Sequence, residues 1–236
     1  MIRQEGVGLV TDVGATIAST KKAVALSEQY DFIYAAVGVH PEGVEELTNQ
    51  DMDWLCELAK REKVVAIGEI GLDYYYEDPK RDIQKIWFRK QLEVARKTGL
   101  PVVIHSRDAA QDTLDIIKEE HGEQIGGVIH CFSYGKEMAQ IYLDMGFYLG
   151  IGGVVTFSNA KKLQEVVEYM PMDRMVIETD CPYLAPVPNR GKRNDSFNLP
   201  YVVSKIAEIK GISSDEVIDI TSENAKKLYG IVQNQI

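Results

Sequence analysis

The sequence predicts an α/β fold, a TIM-type (β/α)8 barrel that lacks its first strand. Short apolar runs alternate with amphipathic, helix-like segments along most of the 236 residues. The connections between them are short, which is typical of parallel βαβ units, and so many units favour a closed barrel over an open sheet. The apolar runs number seven where a complete barrel has eight strands. We therefore expect one barrel domain over residues 1–236 that is one strand short.

The predicted strands are apolar runs bounded by glycine, proline or polar residues. They cover residues 7–13, 33–39, 64–68, 100–104, 125–129, 147–151 and 174–179. The first run begins only a few residues after Met1, so we expect the strand and helix that open such a barrel to be absent. The edges of the first and last runs are then unpaired, and an unpaired edge favours pairing with another chain. An oligomer contact or a shifted segment is expected to cover the gap.

The segments between these strands carry apolar residues at helical spacing. The predicted helices cover residues 21–29, 47–61, 82–98, 108–120, 136–145, 159–169, 199–210 and 213–229. Ser19 is expected to cap the first helix, and Ser213 followed by Glu216 forms a capping box for the last. One apolar stripe is expected on the helix over 82–98. It comprises Ile83, Ile86, Trp87, Leu92 and Ala95.

Charge and cysteine content exclude several classes of protein. The formal net charge of -10 argues against a surface that binds nucleic acid through an overall positive potential. A phosphate contact therefore has to be local or made through a metal. Cys56, Cys131 and Cys181 are odd in number and form no C-x-x-C pair, which favours free thiols in a reducing compartment. No apolar run approaches the roughly 20 residues of a membrane span. We expect a cytoplasmic protein.

Four chemically active side chains follow predicted strands. Glu69, His105, His130 and Asp180 each come at or just after the end of an apolar run. The carboxyl ends of parallel strands in a barrel form one face, where such folds keep their chemistry. Buried carboxylates are rare without a positive partner, and two histidines in the same setting favour metal ligation. The sequence therefore predicts a divalent-metal site that these four residues form.

Two further residues lie near the predicted site. His40 ends the second strand beside Pro41, and we expect it to contact substrate rather than ligate metal, although the proline alone could account for a turn there. Glu178 precedes Asp180 by two residues, so strand alternation would point both side chains to one face. Glu178 is expected either to tune the site or to form a structural pair. His121, at a helix end, is expected to be a cation on the helix dipole.

Aromatic and basic residues supply candidate substrate contacts. Tyr74, Tyr75 and Tyr76 could stack a base, but the preferred interpretation is packing beside the barrel mouth. A basic cluster lies in the loop after the last strand. Its members are Arg190, Lys192 and Arg193. Because barrel loops after the last strands often bind phosphate and the chain is otherwise acidic, phosphate contact is favoured over a merely solvated loop.

Six motifs together resemble the TatD family of metal-dependent deoxyribonucleases, within the amidohydrolase-like barrels. They are AVGVHP (36–41), GEIGLDY (68–74), PVVIHSR (101–107), HCFS (130–133), ETDCPYL (178–184) and RGKRN (190–194). They span nearly the whole chain in family order. The resemblance implies hydrolysis of DNA, often from the 3′ end, with one or two Mg²⁺, Mn²⁺ or Zn²⁺ ions.

The resemblance also implies roles for individual residues. The four predicted ligands would be metal ligands, with Glu69 bridging two ions and Asp180 orienting or deprotonating the attacking water. His40, Arg107 and the basic cluster would lie near the scissile phosphate.

One feature departs from the family pattern. The family's first strand carries an H-x-H pair that holds one of two metals, and none of the four histidines here forms such a pair. Glu69, His105 and His130 can still supply three ligands to one ion, with water in the open position. We therefore expect one ion rather than two, and weakened or lost nuclease activity. Two other functions stay open: an amidohydrolase or esterase acting on a small substrate, and an inactive nucleic-acid-binding relative.

Overall fold

The computed structural model describes residues 6–231, and within them seven strands are hydrogen-bonded neighbours in chain order. The strands are β1 (Val10–Val13), β2 (Ile33–Val37), β3 (Val64–Asp73), β4 (Val102–Arg107), β5 (Gly127–Ile129), β6 (Tyr148–Ile151) and β7 (Met175–Ile177). The pairs from β1 to β4, and β6 with β7, are parallel. The predicted strand count is confirmed.

Helices connect the strands as the apolar spacing predicts. They are α1 (Ile17–Gln29), α2 (Asn49–Leu58), α3 (Arg81–Thr98), α4 (Ala110–Glu119), α5 (Gly122–Ile125), α6 (Lys136–Asp144), α7 (Lys161–Tyr169), α8 (Leu199–Lys210) and α9 (Ser214–Tyr229). Short 3-10 helices add single turns at Pro41–Glu46, Gly153–Thr156, Met172–Arg174 and Ser196–Asn198. The capping box of α9 is confirmed, since Ser213 and Glu216 exchange hydrogen bonds.

Two helical details differ from the prediction. Thr16, not Ser19, caps α1, because its hydroxyl accepts from the Ser19 N–H while the Ser19 hydroxyl accepts from the Thr16 N–H. Ile86 is 52% exposed and was wrongly assigned to the buried stripe of α3. The buried face of α3 instead includes two amides, Gln84 and Gln91, at a separation of two helical turns. Aromatic and aliphatic side chains fill the rest of that face.

Two strand ends also differ from the prediction. β3 runs through Glu69 to Asp73 instead of ending at residue 68, and its register with β4 shifts between Ile67 and Ile70. β7 ends at Ile177, so Glu178 and Asp180 lie in the loop that follows and strand alternation does not orient them. The polar residues at these ends are therefore placed by tertiary contacts.

The described residues divide into two compact units. One comprises Gly8–Val128 with Tyr229–Ile231, and the other contains Ile129–Leu228. The expectation of a single domain over residues 1–236 stays a prediction. None of the helices in the described range is both long and apolar enough to cross a membrane.

Candidate metal centre

Three polar side chains on β3 and β4 lie in contact with one another. Glu69 and His105 were predicted from the sequence, and Asp73 was not. His105 Nδ1 lies 3.0 Å from Glu69 Oε1, and His105 Nε2 lies 2.8 Å from Asp73 Oδ2. The other Asp73 oxygen, Oδ1, accepts a hydrogen bond from the Tyr75 N–H. The main chain of Glu69 is fixed as well, since its N–H donates to the carbonyl of Gly14 after β1. We call Glu69, Asp73 and His105 the His105 cluster.

The protonation of the His105 cluster follows from its charges. Burial lowers the pKa of His105, but hydrogen bonds to Asp73 and Glu69 and the charges of both carboxylates outweigh burial and raise it to about 9. Burial raises the pKa of Asp73, but hydrogen bonds from His105 and the Tyr75 N–H and the nearby charges of His105 and Arg107 lower it overall. The metal-free cluster is therefore an imidazolium held between two carboxylates, and a cation has to displace that proton to bind.

His40 lies against this cluster. Its ring centroid is 4.2 Å from that of His105, and its Nε2 is 3.9 Å from Glu69 Oε1. His40 Nδ1 accepts a hydrogen bond from the Glu42 N–H, so the ring proton of neutral His40 sits on Nε2. The protonated Nε2 can donate a hydrogen bond, and it could ligate a metal only after losing that proton. The expected role of His40 in substrate contact stays a prediction.

Gly71 allows β4 to approach the cluster. It lies between Glu69 and Asp73 on β3, with a φ of +143°. A Cβ at this position would lie 1.9 Å from the carbonyl oxygen of His105, a backbone atom that cannot move aside alone. Glycine is therefore required where the two strands that carry the cluster meet.

Two buried amides of α3 fix the loops that hold these residues. Gln84 accepts from the Asp73 N–H and donates to the carbonyls of Asp73 and Pro79. Gln91 accepts from the Val39 N–H and donates to the Val39 carbonyl, next to His40. These polar contacts satisfy backbone groups at the strand ends that would otherwise be buried without partners.

A second group of residues surrounds His130, which follows β5. His130 Nδ1 lies 2.8 Å from Glu178 Oε2, and His130 Nε2 lies 3.5 Å from Asp180 Oδ1. The other Glu178 oxygen, Oε1, accepts from the Cys131 N–H at 2.7 Å. Both carboxylates reach His130 although neither lies on β7. We call His130, Glu178 and Asp180 the His130 cluster.

Gly150 on β6 makes room for Glu178. A Cβ at Gly150 would lie 2.1 Å from Glu178 Oε2, the oxygen that faces His130. The missing side chain thus lets Glu178 lie against the sheet and hold the ring. Glu178 was expected either to tune the site or to form a structural pair, and its contacts with His130 and the Cys131 N–H are compatible with both.

The predicted basic cluster occupies the loop that follows β7. The Arg190 guanidinium lies 4.3 Å from the centroid of the Phe157 ring. Lys192 and Arg193 line a surface pocket of about 350 Å³. The other residues lining it are Asn189, Asp195, Phe197, Asn198 and Tyr201.

Buried asparagines hold this loop in place. Asn198 donates to Asn194 Oδ1 and accepts from Asn189, while Asn194 donates to the carbonyl of Tyr183. Both Asn194 and Asn198 are buried. An amide network therefore fixes the loop, while its three cationic side chains are exposed. Phosphate contact by these side chains stays a prediction.

Exposed aromatic rings lie beside the His105 cluster. Arg107 Nη1 is 4.0 Å from Asp73 Oδ2, and the guanidinium stacks on Tyr75 at 3.7 Å from the ring centroid. Tyr75 and Tyr76 are 57% and 53% exposed, so the preferred interpretation of packing was wrong for both. It is right for Tyr74, which is half-buried and donates its hydroxyl to Asp112.

Two members of the His105 cluster, Glu69 and His105, together with His40 offer donor atoms close enough to share a divalent ion. These side-chain donor atoms lie within 4.8 Å of one another, so His40 is a candidate ligand by distance as well as a candidate substrate contact. Imidazole and carboxylate are ligands of zinc and other divalent metals. Asp73 holds the Nε2 of His105, the outer contact that metal-bound histidines typically make. A cation at Nδ1 would therefore find the ring already oriented.

Sequence reasoning missed three residues of this centre. Asp73 was overlooked because β3 was expected to end before it, although the spacing of four from Glu69 places both on one face of a strand. Gln84 and Gln91 were overlooked because isolated glutamines on a helix normally face solvent. The two glutamines are seven residues apart and share a helix face with the buried Trp87. This spacing was the sequence feature that could have indicated their burial.

Comparisons with known proteins identify the family of the chain. A family model described as TatD related DNase matches residues 1–230. The chain is 48% identical over 229 residues to the uncharacterized metal-dependent hydrolase YabD of Bacillus subtilis (strain 168), covering 97% of this chain and 90% of that protein. It is 33% identical over 235 residues to the 3′-5′ ssDNA/RNA exonuclease TatD of Rahnella sp. (strain Y9602), covering 97% and 89%.

A solved structure gives the fold. The structure of YJJV, a TatD homolog from Escherichia coli K12, matches with a TM-score of 0.91 at 29% identity, covering 97% of this chain and 89% of that one. The predicted fold class, a TIM-type α/β barrel that is one strand short, is confirmed. Since the family model spans nearly the whole chain, the protein belongs to the TatD-related DNases, a family of metal-dependent hydrolases.

Proposed function

We propose that this protein is a metal-dependent deoxyribonuclease that hydrolyses phosphodiester bonds of DNA, removing nucleotides from the 3′ end. The name of the Rahnella relative, a 3′-5′ ssDNA/RNA exonuclease, supports this direction and substrate. The two alternatives, hydrolysis of a small amide or ester and inactive binding of nucleic acid, are arms of the test below.

The observation that carries the proposal is the position of Arg107. Its guanidinium lies 4.0 Å from Asp73, which in turn holds His105. A fixed cation beside candidate metal ligands matches a phosphodiester, whose charge a guanidinium can bind through two hydrogen bonds. An amide or ester substrate offers no such charge. In a chain with a net charge of -10, a cation at this place favours phosphate as the bound group.

Each predicted site residue has a proposed role. Glu69, His105, His130 and Asp180 would hold the metal, and Asp180 would also accept the proton of the attacking water. When bound, a divalent ion supplies charge neutralisation and a more acidic water. His40 donates its Nε2 proton towards a phosphate oxygen, in keeping with the contact at Nδ1. Further phosphate contacts come from Arg107, Arg190, Lys192 and Arg193.

The proposed cofactor is one or two divalent ions, Mg²⁺, Mn²⁺ or Zn²⁺. Glu69, His105 and His130 would supply three ligands with an open position for water, which suffices for one catalytic ion.

The test compares substrates under metal control. Purified protein is treated with EDTA and assayed with Mg²⁺, Mn²⁺ or Zn²⁺ on a single-stranded oligonucleotide labelled at its 5′ end, and on p-nitrophenyl acetate and an amide analogue. We expect a metal-dependent ladder of products that shorten from the 3′ end, with no turnover of the ester or amide. Metal-dependent turnover of the ester or amide alone would contradict the proposal, as would unchanged DNA with every metal.

A further inference from the structure

We infer that the exposed ring of Tyr75, backed by the Arg107 guanidinium, is a stacking platform for a base of the nucleic acid substrate. The inference rests on the proposed phosphodiester hydrolysis and deepens it, because it assigns the contact with a base of the substrate to named side chains at the same site. Tyr76 forms the edge of this platform.

The platform is built from exposed but well-fixed side chains. Tyr75 and Tyr76 meet edge to face with ring centroids 4.8 Å apart, and each keeps more than half of its surface exposed. The Arg107 guanidinium covers one face of Tyr75 at 3.7 Å and lies 5.9 Å from the Tyr76 ring. The Tyr75 N–H donates to Asp73 Oδ1, which anchors the main chain under the ring. Both rings thus expose more than half of their surface while they keep contacts with each other and with Arg107.

Successive contacts lead from this surface to the candidate metal ligands. Tyr75 contacts Arg107, Arg107 Nη1 lies 4.0 Å from Asp73 Oδ2, and the same oxygen lies 2.8 Å from His105 Nε2. A nucleotide whose phosphate lies at the His105 cluster would therefore have a neighbouring base within reach of Tyr75. Arg107 would sit between the base and the phosphate, where a stacked cation serves both.

Stacking of this kind selects unpaired bases. Every base has a π-face, so an aromatic platform tolerates all sequences, but a base in a duplex is already stacked and paired. The charge of the chain favours the same conclusion. Because the net charge is -10, bulk attraction for DNA is absent, and base stacking is a source of affinity that does not need it.

Binding of two oligonucleotides tests the platform. Fluorescence anisotropy in EDTA measures the affinity for a labelled oligothymidylate and for an abasic oligonucleotide of equal length and charge. We expect the wild type to prefer the oligothymidylate. Tyr75→Ala should raise the Kd for the oligothymidylate roughly 10-fold and leave the abasic Kd unchanged, since stacking on one ring contributes about that much. Tyr75→Phe should keep the preference, because the ring remains.

Tyr169→Ala is the matched control. Tyr169 is 46% exposed at the end of α7, contacts none of the site residues in the described contacts, and should bind both oligonucleotides as the wild type does when replaced. An unchanged preference in Tyr75→Ala would overturn the inference. Equal losses in Tyr75→Ala and Tyr75→Phe would also overturn it, since the hydroxyl and not the ring would then carry the effect.

Cleavage assays separate this inference from the proposed function. A wild type that cleaves oligothymidylate with Mn²⁺, together with a Tyr75→Ala variant of unchanged KM, would overturn the platform and leave the hydrolysis standing. A wild type that prefers oligothymidylate over the abasic strand through Tyr75 but cleaves neither would overturn the hydrolysis and leave a nucleic-acid-binding platform. A raised KM in Tyr75→Ala with a nearly unchanged kcat supports both.

Discussion

In both the His105 cluster and the His130 cluster a carboxylate orients the histidine ring, but it contacts opposite ring nitrogens. In each, one carboxylate accepts a backbone N–H through one oxygen and faces the histidine through the other. Asp73 holds His105 at Nε2, which leaves Nδ1 towards Glu69. Glu178 holds His130 at Nδ1, which leaves Nε2 towards Asp180. The nitrogen that would face the proposed metal is therefore Nδ1 in the first cluster and Nε2 in the second.

The clusters differ in how tightly the remaining carboxylate is held. Glu69 is 15% exposed and lies 3.0 Å from His105, whereas Asp180 is 36% exposed and lies 3.5 Å from His130. A half-buried carboxylate in contact with its histidine is already oriented for a cation. A carboxylate that still meets solvent can reach a water molecule as well as an ion. This difference supports the proposed division of roles, with Glu69 as ligand and Asp180 also acting on water.

The largest expected effect comes from removing either histidine. We expect His105→Asn and His130→Asn each to lower metal-dependent DNA hydrolysis by more than about 100-fold, beyond the range that loss of an outer contact causes. His105→Asn should also lose bound metal, because its cluster is the preorganised one. Steady-state rates and metal content after dialysis measure the two effects.

His121→Asn is the matched control for these variants. His121 is exposed, and its φ of 52° lies in the left-handed region that asparagine tolerates. It should keep wild-type activity and metal content. Activity of His105→Asn within a few-fold of this control would contradict the metal-ligand role of the His105 cluster.

An intermediate effect is expected from neutralising the carboxylates that orient the rings. In Asp73→Asn and Glu178→Gln the remaining oxygen has to accept the backbone N–H, so the new amide NH₂ faces the histidine and donates to it. The ring proton then moves to the metal-facing nitrogen and opposes binding. We expect a 10- to 100-fold loss of metal affinity in each, measured by titration with Zn²⁺ or Mn²⁺.

Glu123→Gln serves as the control, because Glu123 is exposed and pairs only with the exposed His121 in the described contacts. The comparison of the clusters would fail if Glu178→Gln lost affinity while Asp73→Asn did not. That result would mean that only the His130 cluster contributes a ligand.

Residues at the ends of apolar runs could be predicted from the sequence, whereas their partners could not. His105 and His130 follow apolar runs and lie near the ends of β4 and β5, as these runs predicted, whereas Glu69 lies inside β3. Asp73 orients His105 only because β3 continues along β4, and that extension depends on pairing between strands. Glu178 contacts His130 across 48 residues of sequence. Such contacts are set by the fold and leave no local pattern.

The helix α3 shows the same limit in its buried face. Ile86 is apolar yet 52% exposed, while Gln84 and Gln91 are polar yet 1% exposed. Hydrophobicity alone places these three residues in the wrong environment. The two amides are buried because backbone groups beside Asp73 and His40 need partners, and a sequence does not reveal which backbone groups lack them.

Gln91 supports the His105 cluster from a distance. Replacing it is expected to change catalysis least among these variants, and its measurable effect is on stability. Gln91→Ala leaves the N–H and carbonyl of Val39 buried without partners, so we expect the free energy of unfolding to fall by about 1–3 kcal/mol. Urea unfolding measures this loss against Gln111→Ala, an exposed glutamine whose replacement should cost less than about 0.5 kcal/mol. Equal midpoints for the two variants would show that water satisfies Val39. The main chain beside His40 would then not depend on Gln91 for its rigidity. The contrast between the preorganised His105 cluster and the more exposed His130 cluster would weaken.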